Sequence, residues 1–298
     1  MITVFGSTNL DQVGTVSRLP KPGETVAGGT FSMAAGGKGA NQALAARRAG
    51  AEVRHVSAVG ADAFAEPALA FLKTDGVDLS ALKTADAATG IAMIFVDDHG
   101  ENVIAVLPGA NGTLTAEDAD AAVAAMEPGD ILMLQQEIPQ AATERALDLA
   151  RAKGITAILN TAPFLETTPQ IAGKAAILVA NETEFALLSG RGIDELDAAM
   201  RDWAQRHGQT VIVTLGPDGA RAATPERLFH APAMKVTPVD TVGAGDTFCG
   251  YLAAGLDTGL GLEAAMRRAA VAASLACLKP GAQPAIPFAA EVEKASAA

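Results

Sequence analysis

Short apolar runs recur along the chain, and between them apolar positions repeat every three to four residues. Ile2–Gly6, Val53–Val59, Asp130–Leu134, Ile155–Asn160, Ile177–Ala180 and Thr210–Leu215 read as strands. Helical spacing fills intervals between them, as at Ala116–Met126, Gln140–Lys153 and Ile193–Arg206. Strand alternating with helix predicts an α/β chain, with a mostly parallel sheet covered by helices on both faces. Near the C-terminal end, Met234-Lys235-Val236 reads as a short strand, and Phe248, Leu252 and Leu256 recur every four residues as one buried helix face.

Two stretches break this alternation. Residues 12–33 lack helical periodicity; Thr15–Ser17 and Glu24–Val26 read as short exposed strands around the turn Pro20–Gly23. At 90–107, Ile91, Met93 and Phe95 alternate, Asp97–Gly100 turns, and Asn102–Leu107 returns. Two such strand pairs in an α/β chain predict a small extra sheet, serving as a lid over a site or as a dimer surface. No internal repeat or interdomain linker interrupts the chain, which reads as a single domain over 1–298.

Candidate chemistry gathers at Asp240-Thr241-Val242-Gly243-Ala244-Gly245-Asp246-Thr247-Phe248, where a strand is expected to turn into a helix N-terminus. Free N–H groups and the helix dipole favour an anion there, and Gly243 and Gly245 let a phosphate approach the backbone. Asp246 repels that anion unless it has another task, such as taking a proton from a hydroxyl that attacks the phosphate. The same residues also read as a helix cap after a tight turn, and Phe248 stands where the dinucleotide fingerprint needs its third glycine.

Composition narrows the partners. The 298 residues are 49% apolar and 19% charged, a globular composition, and carry a net charge of −12. That charge argues against nucleic acid or an anionic membrane as partner, so a bound phosphate must be held by amides, a lysine or a metal ion. No basic start leads into an apolar run, and no apolar stretch is long enough to span a bilayer. Cys249 and Cys277 fall in helical apolar patterns and read as buried free thiols in a reducing cytoplasm. The four histidines are scattered without zinc-ligand spacing.

Other strand ends also carry polar residues, and the C-terminal edge of such a sheet is where ligands bind. Asn9 and Asp11 offer donors and acceptors to sugar hydroxyls, or simply make a turn. Gly36-Gly37-Lys38-Gly39-Ala40-Asn41-Gln42 opens a helix but is no Walker motif, because Ser32 replaces the first glycine and Gly39 stands where Ser or Thr would hold magnesium. Gln136, Glu137 and Asn160 close two further strands. Asn181-Glu182-Thr183-Glu184 is a capping-box variant, or a carboxylate placed to position magnesium-bound water. Thr214-Leu215-Gly216-Pro217-Asp218-Gly219 ends a strand in a tight turn, either a plain hairpin or a surface for a nucleotide.

Taken together, these segments resemble the ribokinase family of ATP-dependent carbohydrate kinases nearly end to end. The likeness rests on Gly6–Asp11, Gly36–Gln42, Gly100–Ile104, Asn181–Glu184, Asp240–Phe248 and Lys279–Pro284, in that order. It implies a three-layer fold with a small β lid, a small sugar as acceptor, ATP, Mg²⁺ and K⁺ as cofactors, and a homodimer formed through the lid. It implies Asp246 as catalytic base, with the amides of Gly243, Ala244 and Gly245 as the anion hole. Asn9, Asp11, Gly37, Lys38, Asn41 and Glu137 would hold the sugar. Asn181 and Thr214–Gly219 (Thr214, Leu215, Gly216, Pro217, Asp218, Gly219) would hold the nucleotide, with Gly245, and Glu184 would serve the magnesium site. Asp240 and the carbonyls of Val242, Ala276, Lys279 and Gly281 would form a monovalent-cation site. Ala285 departs from the serine often found there, and Ala270 offers no polar side chain near the adenine position.

The expected reaction is transfer of the ATP γ-phosphoryl group to a sugar's terminal hydroxyl, with D-ribose first among acceptors. Deoxyribose, a nucleoside or a hexose keeps the same chemistry, though 4% aromatic residues give a nucleobase little shelf. A non-catalytic sugar-binding protein and a dinucleotide-dependent oxidoreductase are the rivals from other classes.

Overall fold

The computed structural model of the chain describes residues 1–297. Its first half runs β1 (Ile2–Phe5), β2 (Asn9–Val16), β3 (Gly28–Gly36), α1 (Lys38–Arg48), β4 (Val53–Val56), β5 (Ala58–Gly60), α2 (Ala65–Thr74), β6 (Lys83–Ala85), β7 (Gly90–Val96), β8 (Asn102–Leu107), α3 (Ala116–Ala124), β9 (Ile131–Leu134) and α4 (Gln140–Lys153). Next come β10 (Thr156–Asn160), α5 (Thr168–Ala172), β11 (Ile177–Asn181), α6 (Glu182–Ser189), α7 (Leu196–His207), β12 (Thr210–Thr214), β13 (Ala220–Ala223) and β14 (Leu228–Ala231). The chain closes with α8 (Ala244–Asp257), α9 (Leu262–Ala276) and α10 (Ala289–Ser296).

The main sheet has eight strands in the order β14-β13-β12-β11-β10-β9-β1-β4. From β4 to β12 every pairing is parallel, and β13 and β14 add an antiparallel edge. Side chains alternate between faces along a strand, so each strand feeds two cores. On β9, Ile131 and Met133 join the core with α1, α8 and α9, whereas Leu132 and Leu134 join the core with α3, α4 and α7. All four are buried, and each contributes about 1.5–3 kcal/mol of apolar burial. Among the described residues, no helix is long and apolar enough to cross a membrane.

A separate four-stranded sheet, in the order β3-β2-β7-β8, forms the extra layer expected from the two irregular stretches. Its extent differs from the sequence reading. β2 already begins at Asn9 and β3 continues to Gly36, so Asn9 and Asp11 sit on a strand and not in a turn. Glu24–Val26 forms no strand. Nor does Met234–Val236: the run from Pro232 to Pro238 is irregular, because proline lacks the N–H a ladder needs. The strand before the glycine segment is therefore β14. Val53–Val59 also divides at Ser57, after which β5 leaves the main sheet to pair with β6.

Helix α8 packs against both α1 and α9. Its contact with α1 is close at Gly250, where an added Cβ would lie 2.7 Å from both the Ala46 nitrogen and the Gln42 carbonyl oxygen. Nothing larger than glycine fits there without moving backbone. This approach brings the start of α1 beside the start of α8.

Candidate active site

The residues at the start of α8 join a cleft to a buried polar cluster. Gly243 caps the helix in the left-handed region, at φ 75°, which glycine adopts at no steric cost. Among the described residues, the N–H groups of Gly243 and Gly245 have no partner, while Ala244 N–H donates to the Thr241 carbonyl at a long 3.3 Å. A Cβ at Gly245 would meet nothing within 4 Å, so the backbone there faces open space.

On one side lies a cleft of about 680 Å³. Asn181, Thr183, Thr214 and Ser274 give it polar points, Met234, Val236, Phe248, Ala270 and Ala273 give it apolar wall, and Ala244 and Gly245 close one end. Gly216, Pro217 and Gly219 of the expected turn line it, but Leu215 and Asp218 do not. That turn is tied by Leu215 N–H donating to the Gly219 carbonyl at 2.8 Å. Asn181 and Glu184 form the reciprocal capping box, with Glu184 N–H donating to Asn181 Oδ1 at 2.8 Å and Asn181 N–H to Glu184 Oε2 at 3.1 Å. Thr161 Oγ1 also donates to Glu184 Oε2, at 2.9 Å.

On the other side is a buried polar cluster. Asp246 accepts from Asn41 Nδ2 and Gln42 Nε2, one on each carboxylate oxygen, both at 3.0 Å. Gln42 is held in turn by Gln135 Nε2, which donates to its Oε1 at 2.7 Å. Glu137 Oε2 accepts from Ser7 Oγ at 2.6 Å and from the Lys38 backbone N–H at 2.9 Å. Gly37, at φ 89°, caps α1, and a Cβ there would lie 2.7 Å from the Asn9 nitrogen. Asn9 and Asp11 alternate on β2 and so share the lid face turned toward this cluster.

Charge in the cluster is crowded. Burial raises the Asp11 carboxyl to about 7, and the nearby Glu137 and Asp246 carboxylates add to the rise against the opposing pull of Lys38. Burial pulls the Lys38 ammonium down, but Asp246, Glu137 and Glu184 outweigh it and hold Lys38 above its ordinary value. The Cys249 thiol, one turn after Asp246, is pushed well up by burial and by Asp246 and Glu184, so it stays a neutral thiol.

Beyond the cleft and the cluster, Asp240 stitches two loops together. Its Oδ1 accepts from Val242 N–H at 3.0 Å and its Oδ2 from Gly281 N–H at 2.8 Å. Val242 is exposed, Ala276 and Ala285 are buried, and the Ala285 methyl adds no oxygen to this region. Among the described residues, no three His, Cys, Asp or Glu side chains gather to hold a metal ion. A metal here would thus rely on backbone carbonyls, water or a ligand's own oxygens.

Sequence reasoning about site residues did not single out Gln42, Gln135 and Ser7. Gln42 and Ser7 were visible as members of the Gly36–Gln42 and Gly6–Asp11 segments, whereas nothing local marks Gln135.

Residues 1–289 match the family described as pfkB family carbohydrate kinase. Over 300 residues the chain is 38% identical to a ribokinase of Staphylococcus aureus (strain COL), covering 98% of each chain. It is 35% identical to a deoxyribokinase of Salmonella typhi over 291 residues, covering 96% of this chain and 95% of that one. A solved structure of Arabidopsis thaliana ribokinase complexed with ribose and ATP superposes with a TM-score of 0.87 at 29% identity, covering 98% of this chain and 97% of that one.

Proposed function

Because the chain belongs to the pfkB family of carbohydrate kinases and is an ATP-dependent sugar phosphotransferase, we propose that its acceptor is D-ribose, converted to D-ribose 5-phosphate. The observation that carries this reading is the position of the α8 N-terminus. Gly245 lines a cleft of nucleotide size, while the next residue, Asp246, sits in a polar cluster with Asn41 and Gln42 on its carboxylate, the kind of groups that bind sugar hydroxyls. The ribokinase and deoxyribokinase relatives support a free pentose as acceptor.

In this reading Asn9, Asp11, Gly37, Lys38, Asn41 and Glu137 orient the sugar, and Asp246 takes the proton from its terminal hydroxyl. The hydroxyl oxygen bonds to the γ-phosphorus as the bond from that phosphorus to the β–γ bridging oxygen breaks, and the electron pair leaves with ADP. The free amides of Gly243 and Gly245 donate to the charge that develops, joined by Ala244 once it turns from Thr241. Asn41 and Gln42 fix the Asp246 carboxylate so that it need not reorganise during proton transfer. Asn181 and the Thr214–Gly219 turn hold the nucleotide, with Ala270 beside the base.

Glu184 would hold Mg²⁺ through water, and the ion would supply positive charge to the phosphate oxygens. Asp240 with the carbonyls of Val242, Ala276, Lys279 and Gly281 suits a monovalent cation such as K⁺, weakened by the missing oxygen at Ala285. The lid sheet is the proposed homodimer surface. A cytoplasmic setting accords with two free thiols, Cys249 and Cys277.

A second reading, 2-deoxyribose as the preferred acceptor, draws on the deoxyribokinase being almost as similar as the ribokinase. The test is coupled ADP release with ATP and Mg²⁺ over ribose, deoxyribose, hexoses and nucleosides, each with and without K⁺. Ribose should give the highest kcat/KM, with only modest K⁺ stimulation. A higher kcat/KM for deoxyribose would favour the second reading, and for a nucleoside or hexose would overturn both.

A further inference from the structure

Asn111 lies outside the residues discussed so far, on the short 3₁₀ turn Gly109–Thr113 that follows β8. It is 1% exposed, and its amide is fully engaged. Oδ1 accepts from Thr8 N–H at 2.9 Å, and Nδ2 donates to the Thr8 carbonyl at 3.0 Å and to Asn9 Oδ1 at 2.8 Å. A backbone N–H can only donate and a carbonyl only accept, so Thr8 dictates which end of the Asn111 amide carries the nitrogen. The remaining Nδ2 hydrogen then dictates Asn9. Its oxygen must face Asn111, which leaves its NH₂ turned away from Asn111.

The position of Asn111 is equally constrained. A Cβ on Gly90, the first residue of β7, would collide with both Asn111 Nδ2 and Asn9 Oδ1, and would lie 2.8 Å from the Pro108 carbonyl oxygen. The entries to β2 and β7 and the exit from β8 therefore meet at one amide. Thr8 is itself anchored from behind, its Oγ1 lying 3.0 Å from His55 Nε2 and 2.9 Å from Ser57 Oγ. Burial lowers the His55 imidazole to about 4, so this anchor stays uncharged near neutrality.

We propose that Asn111 is a positioning residue that locks Asn9 as a hydrogen-bond donor to the sugar, paired on the same lid face with Asp11 as acceptor. A sugar hydroxyl has one hydrogen to give and an oxygen that accepts. Donor and acceptor side by side can use both properties, whereas two acceptors compete for hydrogens. Without Asn111, the Asn9 amide is free to turn its oxygen outward beside Asp11, and the site loses that complementarity. This inference rests on the sugar-kinase reading and on Asn9 as a sugar contact; it adds what fixes the polarity of that contact.

The test is a double-mutant cycle of Asn111→Asp with Asn9→Ala, read by D-ribose titration calorimetry and by KM for ribose and ATP. Asn111→Asp keeps an acceptor for Thr8 N–H but loses the donor to Asn9. The expected result is a ribose Kd and KM raised at least tenfold, an ATP KM within twofold, and no further loss when the substitution is added to Asn9→Ala. Asn111→Ala, which deletes the amide without adding charge, should give the same pattern, and melting temperatures of all variants track folding separately. Equal losses with and without Asn9, or ribose and ATP KM rising together, would mean a structural role only and overturn the inference. Wild-type protein that binds ribose while Asn111→Asp and Asn111→Ala bind it equally well would overturn it alone. Wild-type protein that binds no sugar would overturn it together with the functional reading beneath it.

Discussion

Asp11 is placed where its charge is opposed. It is raised from 3.8 to about 7 by burial first, then by the Glu137 and Asp246 carboxylates, against the opposing pull of Lys38. Between those two pH values the folded protein binds a proton that the unfolded chain has released, so ionising Asp11 destabilises the sugar-free fold as pH rises toward and past 7. Asp11→Asn removes that penalty. It should therefore raise the melting temperature of the sugar-free enzyme more at pH 8 than at pH 5, as differential scanning fluorimetry would measure. Equal gains at both pH values would place the proton elsewhere. The candidacy of Asp11 was legible in its strand-end position, but its titration was not, because the carboxylates that shift it come from remote parts of the chain. Gln135 illustrates the same limit: a glutamine acquires a role only from what faces it.

The lid sheet has two unlike faces. Asn9 and Asp11 look toward the cluster, while the register puts Phe31, Met33, Met93 and Phe95 on the opposite face. These four are 66%, 51%, 39% and 37% exposed, an apolar patch of the kind that marks an interaction surface. If two lids meet there, as proposed, the wild-type protein should sediment as a dimer at micromolar concentration. Phe31→Glu with Phe95→Glu should then shift it to monomer and weaken ribose binding, because each lid would lose its support. A wild-type monomer would contradict the proposal. The alternation of Ile91, Met93 and Phe95 made this sheet legible, yet its true start at Asn9 was hidden. Gly6–Asp11 reads as turn chemistry until β7 and β3 are seen to flank it.

At the scale of the molecule, the parallel sheet was readable because strands buried on two faces must be apolar and helices must cover them. The α4 boundaries, Gln140 and Lys153, match the sequence reading, since Pro139 precedes that helix and Gly154, at φ 70°, ends it. The path into α8 was not readable: prolines break the expected strand, and only packing of α1 on α8 through Gly250 sets the start of α8 beside Asn41 and Gln42. The central claim is that this junction places a base, Asp246, against a sugar hydroxyl while the neighbouring amides receive phosphoryl charge. Its most direct test is ribose-dependent ADP release by Asp246→Asn, with ribose and ATP binding followed by calorimetry. The account predicts a loss of roughly 10²–10⁴-fold in kcat with both ligands still bound. Turnover within tenfold of wild type would contradict it.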